Sequence, residues 1–369
     1  MKVLFLSDRY YKDEYAKITG SIYQSYLIAE YLSKKGIKTI YVSLSKKERH
    51  FFENENFEVF LLEEKNNVLL NLFKVLKFVK NLDFDVVYTR GRDYFVFIAF
   101  LTKKPYIFNS NAQEGLRRFK YISKLFNNRR SILKKVLLFF PFLILDFMIQ
   151  VGIKNASLIV VQNEFQKLEA KRIWKKDAII ISNLQHKVNE YPSKKEKVVV
   201  WIGEITKWKK PYLLLEIAKM LKEYKFKLIG HGDLKLIEGY EDIENLEYLG
   251  KLSNEKVNKE LERSYIVLNT SESEKEGISN AIIQGMMRGN VPICLNDDFG
   301  ILQKYEVGFK VKDIYEMART IKFLFENEEV LREYSRRAFE FSNSYFDYEK
   351  NGSLYYEVFK TLTSPFKIR

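Results

Sequence analysis

The sequence predicts an α/β fold made of two doubly wound domains in series. Short β-branched runs alternate with longer stretches whose apolar residues recur at helical spacing, and the alternation continues along all 369 residues. Such a pattern is typical of parallel sheets covered by helices on both faces. The length suits two domains, since a domain usually takes roughly 100–200 residues. A polar, proline-containing stretch at 191–197 separates two strand-rich halves, as a linker would.

The predicted strands follow one another at regular intervals. In the first half they lie at 2–6, 39–43, 59–62, 85–88, 106–108, 158–161 and 178–181. After Pro192 the rhythm restarts with 198–202, 226–229, 246–249, 266–269 and 291–294. Helices are expected between them, for example at 22–35, at 212–224 and at about 279–288. Ligands of such folds bind beyond the carboxyl ends of the strands, so the loops that follow strands should carry the function.

Charge and cysteine content restrict the class of protein. The chain has 62 Lys and Arg against 48 Asp and Glu, a net charge of +14, and 46% hydrophobic residues, which excludes a disordered chain and favours anionic partners. The only cysteine, Cys294, cannot form an internal disulfide, and the first residues are typical of a strand and not of a cleavable signal. We therefore expect a cytoplasmic protein.

The apolar stretch 136–153 contains Pro141, Asp146 and Gln150, so it is expected to be mainly a buried helix and not a membrane span.

Two loops that follow predicted strands contain a glycine next to polar residues. Gly20 and Ser21 open the first helix, where free backbone amides favour an anion, although an ordinary capped turn explains the same residues. Gly203 ends the strand at 198–202 and precedes Glu204 and a lysine cluster that includes Lys209. A lysine there could reach a phosphate, whereas lysine runs more often form a solvated surface.

A third glycine loop follows the strand predicted at 226–229. Gly230 and Gly232 flank His231. Glycines in this arrangement permit close packing against a ligand, but many such loops are simply tight turns.

The sharpest candidate site lies between the strands predicted at 266–269 and 291–294. Gly277 leaves the backbone accessible at the start of a helix, where unpaired amides and the helix dipole would hold a diphosphate. Gln284 lies eight residues after Glu276, about two helical turns, so the two side chains could hold hydroxyls at opposite ends of a nucleotide-sugar. The alternative is that Ser279 caps a buried helix and that Glu276 is solvated.

Together these segments resemble the family-4 glycosyltransferases, retaining enzymes of the GT-B fold that transfer a sugar from a nucleotide donor. The family's long signature falls on 276–292, and its diphosphate-binding strand end falls on Gly203 and Lys209. The resemblance implies two Rossmann-like, doubly wound domains that face each other across a cleft. Their expected extents are 1–190 for an N-terminal acceptor-binding domain, 197–343 for a nucleotide-sugar-binding domain, and 344–369 for a final helix that returns to the first domain.

The resemblance also implies roles for individual residues. Glu276, which would hold hydroxyls of the donor sugar, and Lys209, which would neutralise the leaving diphosphate, are the expected catalytic residues. No metal or cofactor is expected beyond the nucleotide-sugar co-substrate, UDP- or GDP-linked, because the leaving phosphate would help to take the acceptor proton. The expected donor-binding residues are Gly203, Glu204, Gly230, His231, Gly232, Gly277, Ile278, Ser279, Asn280 and Gln284, and those on the acceptor side are Gly20, Ser21 and Asn111.

The chain departs from the family pattern at three places. Glu204 stands where the family usually has an arginine, Gln284 where it has a second glutamate, and 109–111 reads Asn-Ser-Asn where a histidine is frequent. An amide can hydrogen-bond a ribose diol, but without the stronger charge-assisted bond. The expected function is a metal-independent retaining hexosyltransferase, and the alternative is a catalytically degenerate relative that only binds.

A basic, partly aromatic segment precedes the longest apolar stretch. Residues 115–135 carry eight Lys and Arg and no acid, with aromatic and aliphatic residues between them. Such a segment suits the surface of an anionic membrane, which predicts peripheral association with the inner face of the cell membrane and a lipid-linked or cell-surface glycan as acceptor. A solvated face and a nucleic-acid surface are the alternatives, and no recognition-helix or zinc pattern supports the latter. The residues assigned to the membrane surface are Arg117, Arg118, Lys120, Arg129 and Arg130.

Overall fold

The computed structural model describes residues 1–16, 19–126, 131–271, 278–297 and 300–364. Two compact units are present: residues 1–184 together with the chain from Tyr348 onward, and Gln185–Asp347. Each unit contains its own sheet and its own apolar core. The predicted fold class, α/β with two Rossmann-like units, is confirmed.

The first unit is built on an eight-stranded sheet in the order β3-β4-β2-β1-β5-β6-β7-β8. Among the described pairings, β3 runs antiparallel to β4 and the others are parallel. The strands are β1 (Lys2–Leu6), β2 (Lys38–Ser45), β3 (Arg49–Asn54), β4 (Phe57–Glu63), β5 (Val86–Arg90), β6 (Tyr106–Asn109), β7 (Leu158–Val161) and β8 (Ala178–Ile180). The helices between them are α1 (Gly20–Lys34), α2 (Val68–Val79), α3 (Phe95–Leu101), α4 (Lys120–Phe126), α5 (Ile132–Asn155) and α6 (Glu164–Trp174).

The second unit is built on a six-stranded sheet in the order β11-β10-β9-β12-β13-β14, with parallel pairings. Its strands are β9 (Glu196–Ile205), β10 (Lys225–Gly232), β11 (Leu246–Gly250), β12 (Ser264–Asn269), β13 (Val291–Cys294) and β14 (Phe309–Lys310). Its helices are α7 (Tyr212–Met220), α8 (Asn254–Arg263), α9 (Asn280–Met286), α10 (Ile301–Lys304), α11 (Ile314–Glu326) and α12 (Glu328–Tyr345). The last helix, α13 (Tyr348–Thr363), belongs to the first unit.

Alternation along the central strands creates the two apolar layers of each unit. In β1, Leu4 and Leu6 face the layer that contains α2, α3 and the end of α5, whereas Val3 and Phe5 face the layer that contains α1 and α13. Successive side chains of a strand point to opposite faces of the sheet, so a continuous apolar run is what a strand buried on both faces requires.

Two predicted boundaries differ from the structure. The units divide at 184/185 and 347/348, whereas the sequence placed the limits at 190 and 344. The stretch 191–197 is not a free linker, because the Tyr191 hydroxyl lies 2.6 Å from Ser335 Oγ and the Lys195 ammonium donates to the carbonyl of Ser264. A polar composition marked this segment as a linker, but its polar atoms are used within the second unit.

The apolar stretch 136–153 also differs from its prediction as a mainly buried helix. It lies in α5, whose second half is buried at Asp146, Ile149, Gly152 and Ile153, while most of the first half is exposed. An apolar composition does not by itself tell whether a helix is packed against the core along its whole length or is partly exposed.

Candidate functional site

A small pocket in the second unit lies where the carboxyl ends of β9 and β12 meet the start of α9. It brings together two residues predicted for the donor site, Lys209 and Ser279. The remaining lining residues are Trp201, Ile202, Leu268, Asn269, Ser271, Ala281 and Ile282. Parallel strands end at this edge of the sheet, so polar groups from separate stretches of sequence converge here.

A hydrogen-bonded chain fixes the loop that carries Lys209. Trp201, which is 2% exposed, donates its indole N–H to Thr270 Oγ1 at 2.9 Å. The Thr270 hydroxyl in turn donates to the carbonyl oxygen of Lys209 at 2.6 Å. The backbone N–H of Lys209 closes a turn onto the carbonyl of Thr206 at 3.1 Å, and the next residue, Lys210, has φ 49°.

Sequence reasoning did not find Trp201 or Thr270. A tryptophan inside a strand is usually a core residue, and nothing local tells that Thr270, 61 residues after Lys209, reaches that backbone. The Lys209 ammonium itself lies 4.9 Å from the centre of the Trp208 ring, within the range of a cation–π contact.

Gly203 of β9 lies beside the Lys209 side chain. A Cβ at this position would lie 3.2 Å from Cδ of Lys209 and 3.0 Å from the Trp201 ring, so any side chain would displace one of the two.

Gly230 and Gly232 do not form the loop that was predicted. Both belong to β10, where 230–232 pair in register with Gly203, Glu204 and Ile205 of β9. Their φ values are +159° and +149°, and a Cβ on Gly230 would lie 1.9 Å from the carbonyl oxygen of Gly203. A side chain at these positions of β10 would collide with the backbone of β9, so glycine is required there.

Glu204 and His231 occupy the same level of the sheet. They are register partners in the β9–β10 ladder, and His231 is exposed. The two residues therefore lie side by side in the ladder, one position beyond the pair of Gly203 and Gly230.

The start of α9 is described from Ile278 onward, and the predicted residues Glu276 and Gly277 lie outside the described residues. Ser279 is the N-cap residue of a largely buried helix, as the alternative expected, but its side chain makes no capping hydrogen bond. Ile278 packs against the apolar core of the second unit. The side-chain oxygen of Asn280 accepts a hydrogen bond of 3.4 Å from Gln185 Nε2.

Gln284 faces the beginning of α8. Its amide nitrogen donates to Asn254 Oδ1 at 3.0 Å, which forms a pair of carboxamides where the family has one glutamate. In this pair Gln284 keeps its side-chain oxygen as an acceptor and Asn254 keeps its amide nitrogen as a donor. The sequence did not single out Asn254, because it reads as an ordinary helix start after the N-cap Ser253.

In the first unit, two of the residues predicted for the acceptor side lie close together around Gly91. A Cβ on Gly91, which has φ +85°, would lie 3.7 Å from Nδ2 of Asn111 and 3.9 Å from Oγ of Ser21. Gly20, the first residue of α1, is exposed. Thr19 caps this helix through a 3.4 Å bond from the backbone N–H of Ile22 to Oγ1, as the alternative interpretation expected.

Two carboxyl groups with perturbed pKa values follow β1 and β5 in the same unit. Burial raises the pKa of Asp93 well above its ordinary value, and the charge of Asp8 raises it further. Desolvation also raises the pKa of Asp8, against the lowering effect of Arg9. A backbone N–H, that of Phe95, donates to Asp93 Oδ1 at 2.8 Å. Perturbed carboxyls beside a strand edge are typical of functional sites.

Three buried polar residues, Arg90, Asn109 and Gln162, lie at the ends of β5, β6 and β7. Both Arg90 and Gln162 donate to Oδ1 of Asn183, at 2.8 and 2.7 Å. Asn109 donates its amide nitrogen to the hydroxyl of Tyr355 on α13. The position where the family often has a histidine is therefore used to hold the final helix.

The residues assigned to a membrane surface differ in their surroundings. Arg117 and Arg118 are exposed, and Arg118 donates to the carbonyl of Ile173 at 2.7 Å. Lys120 is not an exposed cation, since its ammonium lies 3.3 Å from Glu114 and burial lowers its pKa. Arg129 and Arg130 lie outside the described residues.

No group of three or more His, Cys, Asp or Glu side chains suited to a metal ion occurs among the described residues. Asp297, the described member of the acidic pair 297–298, instead accepts backbone N–H bonds from Ile301 and Leu302 at the start of α10.

Comparisons with known proteins agree with this architecture. Residues 184–341 match the family model of glycosyl transferases group 1. No curated protein matches the chain. Among solved structures, sucrose-phosphate synthase from Thermosynechococcus elongatus has a TM-score of 0.75 at 12% identity, covering 98% of this chain and 99% of the other. Anabaena HepE in complex with UDP has a TM-score of 0.68 at 13% identity, covering 98% and 100%.

TarM from S. aureus, in a complex that contains UDP, has a TM-score of 0.69 at 13% identity, covering 97% of this chain and 100% of the other. At such identities the likeness shows the fold alone, and the match to the family model falls on the second unit. Residues 184–341 are thus similar to the glycosyl transferases group 1, and the chain has the GT-B fold.

Proposed function

We propose that the protein transfers a hexose, with retention of configuration, from a nucleotide-sugar to a lipid-linked or cell-surface glycan at the inner face of the cell membrane. The observation that carries the proposal is the fixed position of Lys209 beside the pocket of the unit that matches the group 1 family model. A lysine whose backbone is fixed there can extend its flexible side chain to a leaving diphosphate and neutralise the charge that develops on it.

The donor is proposed to be UDP- or GDP-linked. HepE and TarM, which share the fold, were both solved with UDP. The carboxamide pair of Gln284 and Asn254 offers an acceptor and a donor, which suits the two hydroxyls of a ribose. Glu276 and the amides of 277–280 are proposed for the donor sugar and its phosphates, as the family signature implies.

In the proposed reaction the bond between the anomeric carbon and the diphosphate oxygen breaks, and a bond to the acceptor oxygen forms on the same face of the sugar. The acceptor proton passes to the departing phosphate, whose charge Lys209 stabilises. The chemistry asks for no resident metal. On the acceptor side, Ser21 and Asn111 beside Gly91 supply a hydroxyl and an amide at the strand ends of the first unit.

The test is a thermal-shift and calorimetric screen of the full chain against UDP, GDP, ADP, CMP and their common sugar conjugates. A nucleotide at about 100 times its Kd should raise the free energy of unfolding by about 2.7 kcal/mol. The shift should be smaller in Lys209→Ala and unchanged in Lys207→Ala, since Lys207 is an exposed lysine of the same cluster. No stabilisation by any nucleotide at millimolar concentration would contradict the proposal and favour the degenerate relative.

A further inference from the structure

The first half of α5 is apolar on two opposite sides. Its inner side packs against α4, through ring contacts of Phe142 with Tyr121 and of Phe139 with Phe126. Its outer side carries a stripe of large apolar residues at spacings of three and four, which places them on one face of the helix. This outer stripe consists of Leu133, Leu137, Phe140 and Ile144, and Phe147 continues it one residue past Asp146; all five are 54–72% exposed.

The second half of α5 is held by the protein through a buried charge. The carboxylate of Asp146 lies 3.0 Å from the Arg92 guanidinium and accepts the backbone N–H of Ile122 at 3.0 Å. Both charged side chains are fully buried. Six residues after Asp146, a Cβ on Gly152 would lie 2.7 Å from the backbone of Val96 in α3. The two helices are therefore in close contact at this position. Removing Asp146 from Arg92 would leave an uncompensated buried charge, so this half of α5 is committed to the protein.

The exposed half is too short to cross a bilayer. By length and composition α5 qualifies as a membrane span within the described residues. Only residues 132–145 precede the Asp146 anchor, however, and at about 1.5 Å per residue they measure roughly 21 Å. The hydrocarbon core is about 30 Å thick. The outer stripe therefore suits insertion into one leaflet, not a span.

A second exposed apolar group lies at the same end of the first unit. The first turns of α2 expose Val68, Leu69, Leu70 and Phe73. Both α2 and the end of α5 pack on the sheet face that α3 shares. Each leads into a parallel strand, β5 or β7, so the beginnings of both helices lie towards the carboxyl edge of the sheet.

The charge around the outer stripe indicates which kind of partner would cover it. The segment 115–135 has no acid, and three of its basic residues are exposed: Arg117 before α4, Lys124 in α4 and Lys134 in the first turn of α5. A second copy of the chain related by a two-fold axis would bring the same basic residues face to face. Anionic lipid headgroups would instead be attracted to them.

We propose that the outer stripe of α5, together with the start of α2, inserts into the interfacial layer of an anionic bilayer as a one-leaflet anchor. This deepens the membrane association proposed above and makes apolar insertion, not charge alone, responsible for attachment. The proposed donor site lies in the other unit, so nucleotide binding and vesicle binding are measured separately. Failure of the membrane anchor would therefore leave the proposed donor binding untouched, and the reverse also holds.

The first experiment compares the full chain with a variant of the stripe, Leu137→Gln, Phe140→Gln and Phe147→Gln, in cosedimentation with vesicles of phosphatidylcholine and phosphatidylglycerol. The partition coefficient should fall at least tenfold in the variant. The matched control is Phe52→Gln, Phe323→Gln and Leu354→Gln, which removes three exposed apolar residues on β3, α11 and α13 and should bind as the parent does. Circular dichroism and the thermal shift by nucleotide show whether each variant is folded.

The second experiment measures depth. Cys294 is buried, so a dye attached to Phe140→Cys in a Cys294→Ser background reports on one position. Its fluorescence should shift to the blue on vesicles and be quenched by spin-labelled acyl chains, and part of the binding should survive 0.5 M NaCl, because apolar contacts are not screened. The same dye at Leu354→Cys should not respond.

Three results would overturn the proposal. Complete release of the parent protein by salt would make attachment purely electrostatic. Equal binding of the stripe variant and the parent would remove α5 from the surface. A concentration-dependent dimer that the stripe variant abolishes, without vesicle binding by the parent, would show that a second copy covers the stripe.

Discussion

One hydroxyl group connects two parts of the candidate site. Thr270 follows β12, accepts the indole N–H of Trp201 and donates to the Lys209 carbonyl, so it joins the core of the sheet to the loop that carries the cation. With only one hydroxyl proton, Thr270 can serve both neighbours only in this arrangement. The backbone position of Lys209 is therefore set by Trp201 and Thr270, which lie far from it in the sequence.

Replacing Lys209 by alanine should lower turnover by about ten- to a thousandfold, the range for the loss of one electrostatic donor to a developing charge. The measurement is the rate of nucleotide release from the donor that the binding screen identifies. Lys207→Ala is the control, and equal rates in the two variants would remove Lys209 from the site.

Thr270→Val should impair the reaction through the position of Lys209. It leaves the buried Trp201 N–H without its acceptor, which costs about 1–3 kcal/mol of stability. In a double-mutant cycle its effect on turnover should largely vanish in a Lys209→Ala background, because the two changes remove one interaction. Additive effects on turnover would show that Thr270 contributes to stability alone.

The polar stretch 191–197 packs against the second unit, although its composition is that of a linker. Lys195 places its ammonium on the carbonyl of Ser264, and its Nζ lies 5.4 Å from the centre of the Tyr265 ring. Burial lowers the pKa of Lys195 to about 7; Glu262 acts in the opposite direction and Arg288 adds to the lowering. The charged form is therefore disfavoured in the folded unit.

This lowered pKa predicts a pH dependence with a definite sign. An unfolded lysine titrates near 10.4, so between pH 7 and that value the unfolded chain binds more protons than the folded one. The free energy of unfolding should therefore rise with pH across this window. Lys195→Met should reduce the rise, measured by chemical denaturation at pH 7, 8 and 9. Parallel curves for both proteins would contradict the assigned pKa.

After the second unit, the chain returns to its first unit through α13. Tyr355 and Phe359 are fully buried there, and Gly352 allows α13 to approach α1. A Cβ on Gly352 would lie 2.4 Å from the Tyr31 ring. The first unit therefore depends on residues from both ends of the sequence.

Gly352→Leu should destabilise the protein by about 1–3 kcal/mol, because extra methylene groups in a packed contact force neighbours apart. The neighbouring exposed position provides the control, Ser353→Leu, with an expected change below about 0.5 kcal/mol. Urea denaturation measures both, and equal midpoints would show that α13 can shift without loss.

The sequence predicted most of the strands for a physical reason. Strands buried on both faces need continuous apolar runs, and 2–6, 158–161 and 291–294 match β1, β7 and β13 residue for residue. It did not predict β3, an antiparallel strand at the sheet edge whose residues are only partly buried, or β14, which has two residues. The only apolar residues of β3 are the adjacent Phe51 and Phe52, which give neither alternation nor a continuous apolar run, and β14 is too short to show a pattern.

For the candidate site, local sequence patterns were enough to predict which residue types follow which strands. Lys209, Ser279 and Gln284 could be named because a strand end or a helix start has a local signature. Four features became visible in the folded chain alone: 230–232 pair with β9, Asn254 accepts a hydrogen bond from Gln284, Thr270 bonds the Lys209 carbonyl, and most of the first half of α5 is exposed. Each of these depends on contacts between residues far apart in the chain, whereas hydrophobic periodicity and turn chemistry report only on neighbours.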